Sequence, residues 1–209
     1  EARSSRQQLN LCYRIYKDYT AFQTDSAIVY LNRCITLSEA AGNTAFVQSC
    51  IALKATQFSI AGYYAEALTT LGKVERQKLD RTGWKNYYYA LNHVYGEMAS
   101  YTNDTLYRAE YFRKAGAYRD SIFRVFPASS EAALSKREEQ CSSRKDFARA
   151  LQFNDFRLKL APAGSHTFAI VAYFRYVELS GMGSKDEALY WLTESAMADI
   201  RNAVMDQAS

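Results

Sequence analysis

Residues 61 to 72 read AGYYAEALTTLG, and their reading decides the fold. A glycine follows an apolar stretch, two aromatic residues follow the glycine, and Ala67, Leu68 and Leu71 then recur at helical spacing. This is the pattern of one helix ending and a second beginning. Gly62 is expected to end the first helix, because glycine takes a left-handed conformation without steric cost. Ala55 on the first helix and Ala67 on the second are small where the two helices should approach closely.

The same pattern recurs along the chain. TDSAIVYL with Ala27, LYRAEYF with Ala109, KDFARAL with Ala150 and SKDEALYWL with Ala188 each place an alanine after a turn and before an apolar helix. Together with Ala67 they are spaced by 40, 42, 41 and 38 residues. Such regularity is the mark of a helix-turn-helix repeat in which each pair exposes an apolar face that the next one covers. The expected fold is therefore all-α: a right-handed superhelix of about five antiparallel helix pairs, forming a single domain over 1–209. Helices are expected near 5–21, 26–40, 44–61, 64–76, 84–102, 105–124, 129–142, 146–159, 166–181 and 185–207. Asp25, Ser129 and Ser184 are the candidate N-cap residues.

Composition agrees. The chain has 209 residues, 48% of them hydrophobic, with only two prolines and nine glycines, too few for the turns of a many-stranded sandwich or barrel. Its net charge of +4 is spread along the sequence and not gathered in a basic tract, so nucleic-acid binding is not expected. The longest apolar run, FAIVAYF at 168–174, is far short of a membrane span. The four cysteines, at 12, 34, 50 and 141, match neither a CxxC pair nor a zinc ribbon; they read as buried free thiols, with a Cys34–Cys50 bridge as the alternative.

A search for chemistry finds little. GMGSKD at 181–186 lacks the glycines of a phosphate-binding loop and sits where other repeats turn. The two histidines, His93 and His166, are 73 residues apart, without the i, i+4 spacing of a zinc hydrolase or a serine or cysteine at a recognisable spacing. Both read as helix-face or turn residues. Glu138 and Glu139 diverge by about 100 degrees on a helix and are expected to be solvated. No enzyme activity, cofactor or metal is expected. Asn103-Asp104-Thr105 is a formal glycosylation sequon in a turn.

Tyrosine is abundant, with 17 residues including three in a row at 87–89. Its apolar ring and polar tip suit both half-buried packing between helices and recognition surfaces. In helical arrays the first helix of each pair lines the concave, partner-binding side. Projection of the repeat puts Cys12, Tyr16, Tyr19, Thr56, Ser59, Met98, Tyr101, Glu139, Tyr173 and Val177 there as candidate binding residues. That face is aromatic and poor in charge, which suits a protein, a peptide or an apolar or mixed small ligand.

Three segments, TDSAIVYLNRCITLSEAAGN, YGEMASYTND followed by AEYFRKAGAYRDSI, and ALYWLTESAMADIRNAVMDQAS, resemble the N-terminal repeat region of membrane-anchored tetratricopeptide regulators of Bacteroidetes. The resemblance covers most of the chain. It implies an exported, periplasmic sensor region followed by further repeats, a transmembrane helix and a cytoplasmic part that influences transcription. It brings no catalytic residues. The rival expectation is a cytoplasmic tetratricopeptide adaptor that mediates protein assembly. The series Leu189, Leu192, Ala196, Ile200, Ala203 and Val204 keeps helical spacing nearly to the last residue. It leads us to expect a fragment whose last helix meets another repeat, or a second copy in a homodimer. Two departures stand out: the place equivalent to Ala55 is Glu138 in the fourth repeat and Tyr176 in the fifth.

Overall fold

The computed structural model describes residues 5–20 and 23–202, and these form helices joined by turns, with no strand among them. Two compact units divide the chain, residues 1–122 and 123–209.

The first unit contains α1 (Ser5–Tyr19), α2 (Thr24–Ala40), α3 (Thr44–Ile60), α4 (Tyr64–Gly72), a 3-10 turn (Arg76–Lys78), α5 (Arg81–Tyr101) and most of α6 (Thr105–Val125). Consecutive helices pack together through α5. One apolar cluster joins α1, α2 and α3 through Tyr16, Ala27, Leu31, Cys34 and Cys50. A second joins α3, α4 and α5 through Ala52, Ala55, Ala67, Leu71, Ala90, Leu91 and Val94. Ala55 and Ala67 are both fully buried, as their small size at the helix crossing demands. Leu31 and Leu71, also buried, each contribute roughly 1.5–3 kcal/mol by leaving water.

The second unit holds the last turn of α6, then α7 (Glu131–Ser143), α8 (Phe147–Leu160), α9 (His166–Met182) and α10 (Lys185–Arg201), with α7 packed on α8, α8 on α9 and α9 on α10. Gly62 and Gly183 take left-handed conformations, at φ 82° and 83°, after α3 and α9. At each, a backbone bond from the following residue back to the helix closes the last turn, Tyr63 N to Phe58 O and Ser184 N to Leu179 O.

Several expectations are corrected. Ser130 and not Ser129 caps α7, its hydroxyl accepting from Ala133 N, and Gln23 precedes α2 while Asp25 lies within its first turn. Ser184 holds the N-cap place of α10 without a side-chain hydrogen bond. α4 stops at Gly72, short of 76, because Gln48 of α3 accepts the backbone N–H of Glu75 at 2.8 Å and draws the chain away from the helix. The repeat alanine holds its place in four pairs: Ala27, Ala67, Ala150 and Ala188 are each the fourth residue of their helix and at most 2% exposed. In α6 that place belongs to Arg108, whose N–H bonds Asp104 O, and Ala109 is exposed. The α5–α6 pair is held instead by Asn92 donating to Ala115 O at 2.9 Å and by Tyr95 stacked on Tyr118 at 5.8 Å. Of the apolar series in the last helix, Leu189 and Ile200 are 63% and 67% exposed, while Ala203 and Val204 lie outside the described residues, as does the expected end of the helix at 207.

Candidate binding surfaces

Six of the residues projected onto the concave side belong to the first unit, besides Cys12. Tyr16 is 4% exposed and sits within the apolar cluster, its ring 5.6 Å from that of Tyr13. Burial, with Tyr13 next, pushes its phenol well above the usual range. Tyr19 is half-buried and stacks on Tyr30 at 5.8 Å. Cys12 lines an open groove of about 820 Å³ between α1 and α2 with Leu11, Val29 and Leu37. Thr56 donates to Ala52 O of its own helix. Met98 packs against the second cluster.

Ser59, 1% exposed, lies 2.8 Å from His93 Nδ1. Sequence spacing did not join these two residues, because α3 and α5 meet only once α4 has folded between them in the chain. A serine beside an imidazole has the makings of a nucleophile and base. Here the hydroxyl is sealed in the helix joint, where no substrate carbonyl reaches it, and the pair ties α3 to α5. Exposed aromatic residues lie elsewhere: among them, Tyr101 and Tyr107 are 73% and 53% exposed and flank the turn at 102–104, with Leu106 beside them.

In the second unit Tyr173 and Val177 are half-buried on α9, with Tyr173 5.8 Å from Tyr176. Glu139 is exposed and paired with Lys136 at 2.6 Å, as a solvated carboxylate should be. Glu138 is not solvated. It is fully buried, and its two oxygens accept from Arg157 Nη1 at 2.5 Å and Asn154 Nδ2 at 2.8 Å. Arg157 reaches Glu131 as well, at 3.0 Å. Burial alone would lower the pKa of its guanidinium, but the two carboxylates more than offset that and hold it above its ordinary value. Asn154 also donates to Val171 O of α9 and accepts from Arg175, which pairs with Asp155 at 2.6 Å. Glu178 of α9, also fully buried, faces Glu138. A polar network thus joins α7, α8 and α9 where the first unit has apolar clusters.

His166 opens α9, and its Nδ1 lies 2.8 Å from Asp199 of α10, which is 1% exposed. All four cysteines are free; Cys34 and Cys50 face each other as hydrogen-bonded thiols and not as the alternative bridge. Among the described residues no three His, Cys, Asp or Glu side chains converge on a metal-sized site, and no helix is long and apolar enough to cross a membrane.

Residues 1–209 match the family described as the SusR N-terminal TPR domain, and the chain belongs to it. Comparison with curated proteins gives no match.

Proposed function

We propose that this member of the SusR N-terminal TPR family is a non-catalytic binding scaffold for a protein, a peptide or a small ligand, and the exported sensor part of a membrane-anchored transcriptional regulator. The observation that supports binding over catalysis is a contrast in exposure. Ser59–His93 and Glu138–Glu178 are sealed in helix joints, whereas Tyr101 and Tyr107 present more than half their surface to solvent. Tyrosine gives a partner large contact area at little entropic cost. Tyr16, Tyr19, Thr56, Ser59, Met98, Tyr101, Glu139, Tyr173 and Val177 remain the binding residues of this reading, with Tyr16 and Ser59 supporting the surface from beneath.

Alkaline phosphatase joined after Ser209 in the natural gene context tests the export. An active fusion supports a periplasmic sensor; an inactive one, with a cytoplasmic reporter active at the same place, sinks it. A cytoplasmic adaptor is the second reading, and the neighbouring Cys34 and Cys50 distinguish the two, since oxidising compartments convert such pairs to disulfides. Thiol labelling of the denatured chain isolated from cells, under conditions that trap its redox state, separates the two readings independently of the fusion.

A further inference from the structure

The hairpin of α7 and α8 carries a cavity of about 350 Å³ whose wall is cationic. Arg137, Arg144 and Arg149 line it, with Phe123 and Phe153 as apolar walls and Cys141 among them. In this unit Arg157 pairs with Glu131 and Glu138, and Arg175 with Asp155. Among the described residues, Arg137, Arg144 and Arg149 take part in none. Arg137 lies over the ring of Phe123, 5.4 Å from its centroid, which fixes the guanidinium at the wall without neutralising it. Asp146, the nearby carboxylate, accepts from the N–H of Arg149 as the cap of α8. Burial, with Asp146 next, pushes the Cys141 thiol up, so it stands neutral and does not repel an anion.

The turn that bounds the cavity supplies a second observation. It repeats the closure seen after α3 and α9, with Asp146 N donating to Cys141 O at 3.0 Å. The left-handed place is held by glycine in those two turns, but here by Lys145, at φ 61°. An L side chain occupies that conformation at a steric cost that glycine avoids. The lysine adds a positive charge beside Arg144. Strain retained at a particular place directs attention to function there.

We propose that this cavity binds a small organic oxyanion, a phosphate or sulfate ester whose charged head is held by Arg137, Arg144 and Arg149 and whose ring or chain lies against Phe123 and Phe153. Guanidinium forks match the oxygens of such a head in geometry as well as charge. The volume lies at the small end of ligand pockets, which suits a single ring with its ester group and not a segment of macromolecule. No residue of this site is among the binding residues of the proposed function, and the site stands whether or not those residues bind a partner.

Titration calorimetry of the 209-residue chain with phenyl phosphate, phenyl sulfate, inorganic phosphate and phenol tests it. At least one ester should bind more tightly than inorganic phosphate, and phenol should bind weakest; the tighter ester identifies the head group. R144A and R149A, at exposed positions, should each weaken that binding by about tenfold while leaving the melting temperature unchanged. K145G should weaken it and raise the melting temperature, since glycine relieves the turn. Esters that bind no better than phenol, or that bind an R144A/R149A double variant as tightly as the natural chain, overturn the proposal.

Discussion

Glu138 and Glu178 face each other in the interior of the second unit, and the two are served unequally. Glu138 accepts from Arg157 and Asn154, whereas neither oxygen of Glu178 receives a hydrogen bond from a donor of another residue type. Two buried carboxyls in contact cannot both ionise without strong repulsion. A proton on Glu178, shared toward Glu138, resolves the conflict. Burial, then the charge of Glu138, pushes Glu178 up to about 9.

Stability should therefore fall as pH rises. In the unfolded chain Glu178 ionises near the ordinary glutamate value of about 4.3, so between that pH and about 9 the folded state holds the extra proton. Its contribution is complete at the acid end of this window and is lost through the alkaline end, with a slope of at most about 1.4 kcal/mol per pH unit. Thermal melts from pH 5 to pH 9 should show a decline that Glu178→Gln flattens, because the amide keeps the shape and the donor without titrating. A slope equally steep in the glutamine variant excludes Glu178 as its source.

Arg157 is the cation on which the network depends, and it is itself only 4% exposed. Arg157→Met leaves Glu138 buried with no counter-charge and should cost about 3–5 kcal/mol in urea unfolding. Adding Glu138→Leu to that variant should recover most of the loss, because a well-packed apolar pair can replace a buried ion pair. If the double variant is as unstable as the single one, packing of the arginine stem and not its charge holds the helices together.

The helical framework was legible because four of the pairs repeat one steric demand: a small residue at the fourth place of the second helix, met by Ala27, Ala67, Ala150 and Ala188. The third pair hid its register. Ala109 keeps the spacing within two residues, yet the structural place is that of Arg108, and helical spacing alone does not resolve a shift of one residue when aromatic stacking replaces the alanine crossing. Glu138 departs visibly from the alanine pattern, but its neighbour Glu139 made a solvated pair the natural reading. The signal that could have corrected it was Arg157, two turns beyond Ala150 on the same stripe of α8. The Ser59–His93 contact had no such signal, because it depends on how α3 and α5 pack and on no local spacing.

Two glycines make opposite predictions on the same chemical change. At Gly181 a Cβ would lie 2.5 Å from the ring of Phe147, so Gly181→Ala must displace the aromatic that seats α8 on α9. Overpacking costs about 1–3 kcal/mol, against a helix-propensity gain of about 1, so the variant should be neutral or destabilised. At Gly96, within α5, nothing lies within 4 Å of the new methyl, and Gly96→Ala should stabilise by up to about 1 kcal/mol. Chemical denaturation of both checks the ordering; a more stable Gly181→Ala would mean that the Phe147 ring relocates freely.

The tyrosines on the first helices divide by burial, and their substitutions should divide the same way. Tyr16 fills the joint of α1, α2 and α3, so Tyr16→Ala should cost about 3–5 kcal/mol, in the range of a large aromatic removed from a core. Tyr101 is mostly in solvent and should change stability by no more than about 0.5 kcal/mol when cut to alanine. Tyr19, half-buried against Tyr30, should fall between. If the tyrosine surface captures a partner, Tyr101→Ala and Tyr19→Ala weaken its capture from cell extract while leaving the chain folded, and Tyr16→Phe, which keeps the ring, leaves capture intact. Full capture by a folded Tyr19→Ala/Tyr101→Ala double variant would remove these residues from the binding surface and leave them as packing elements.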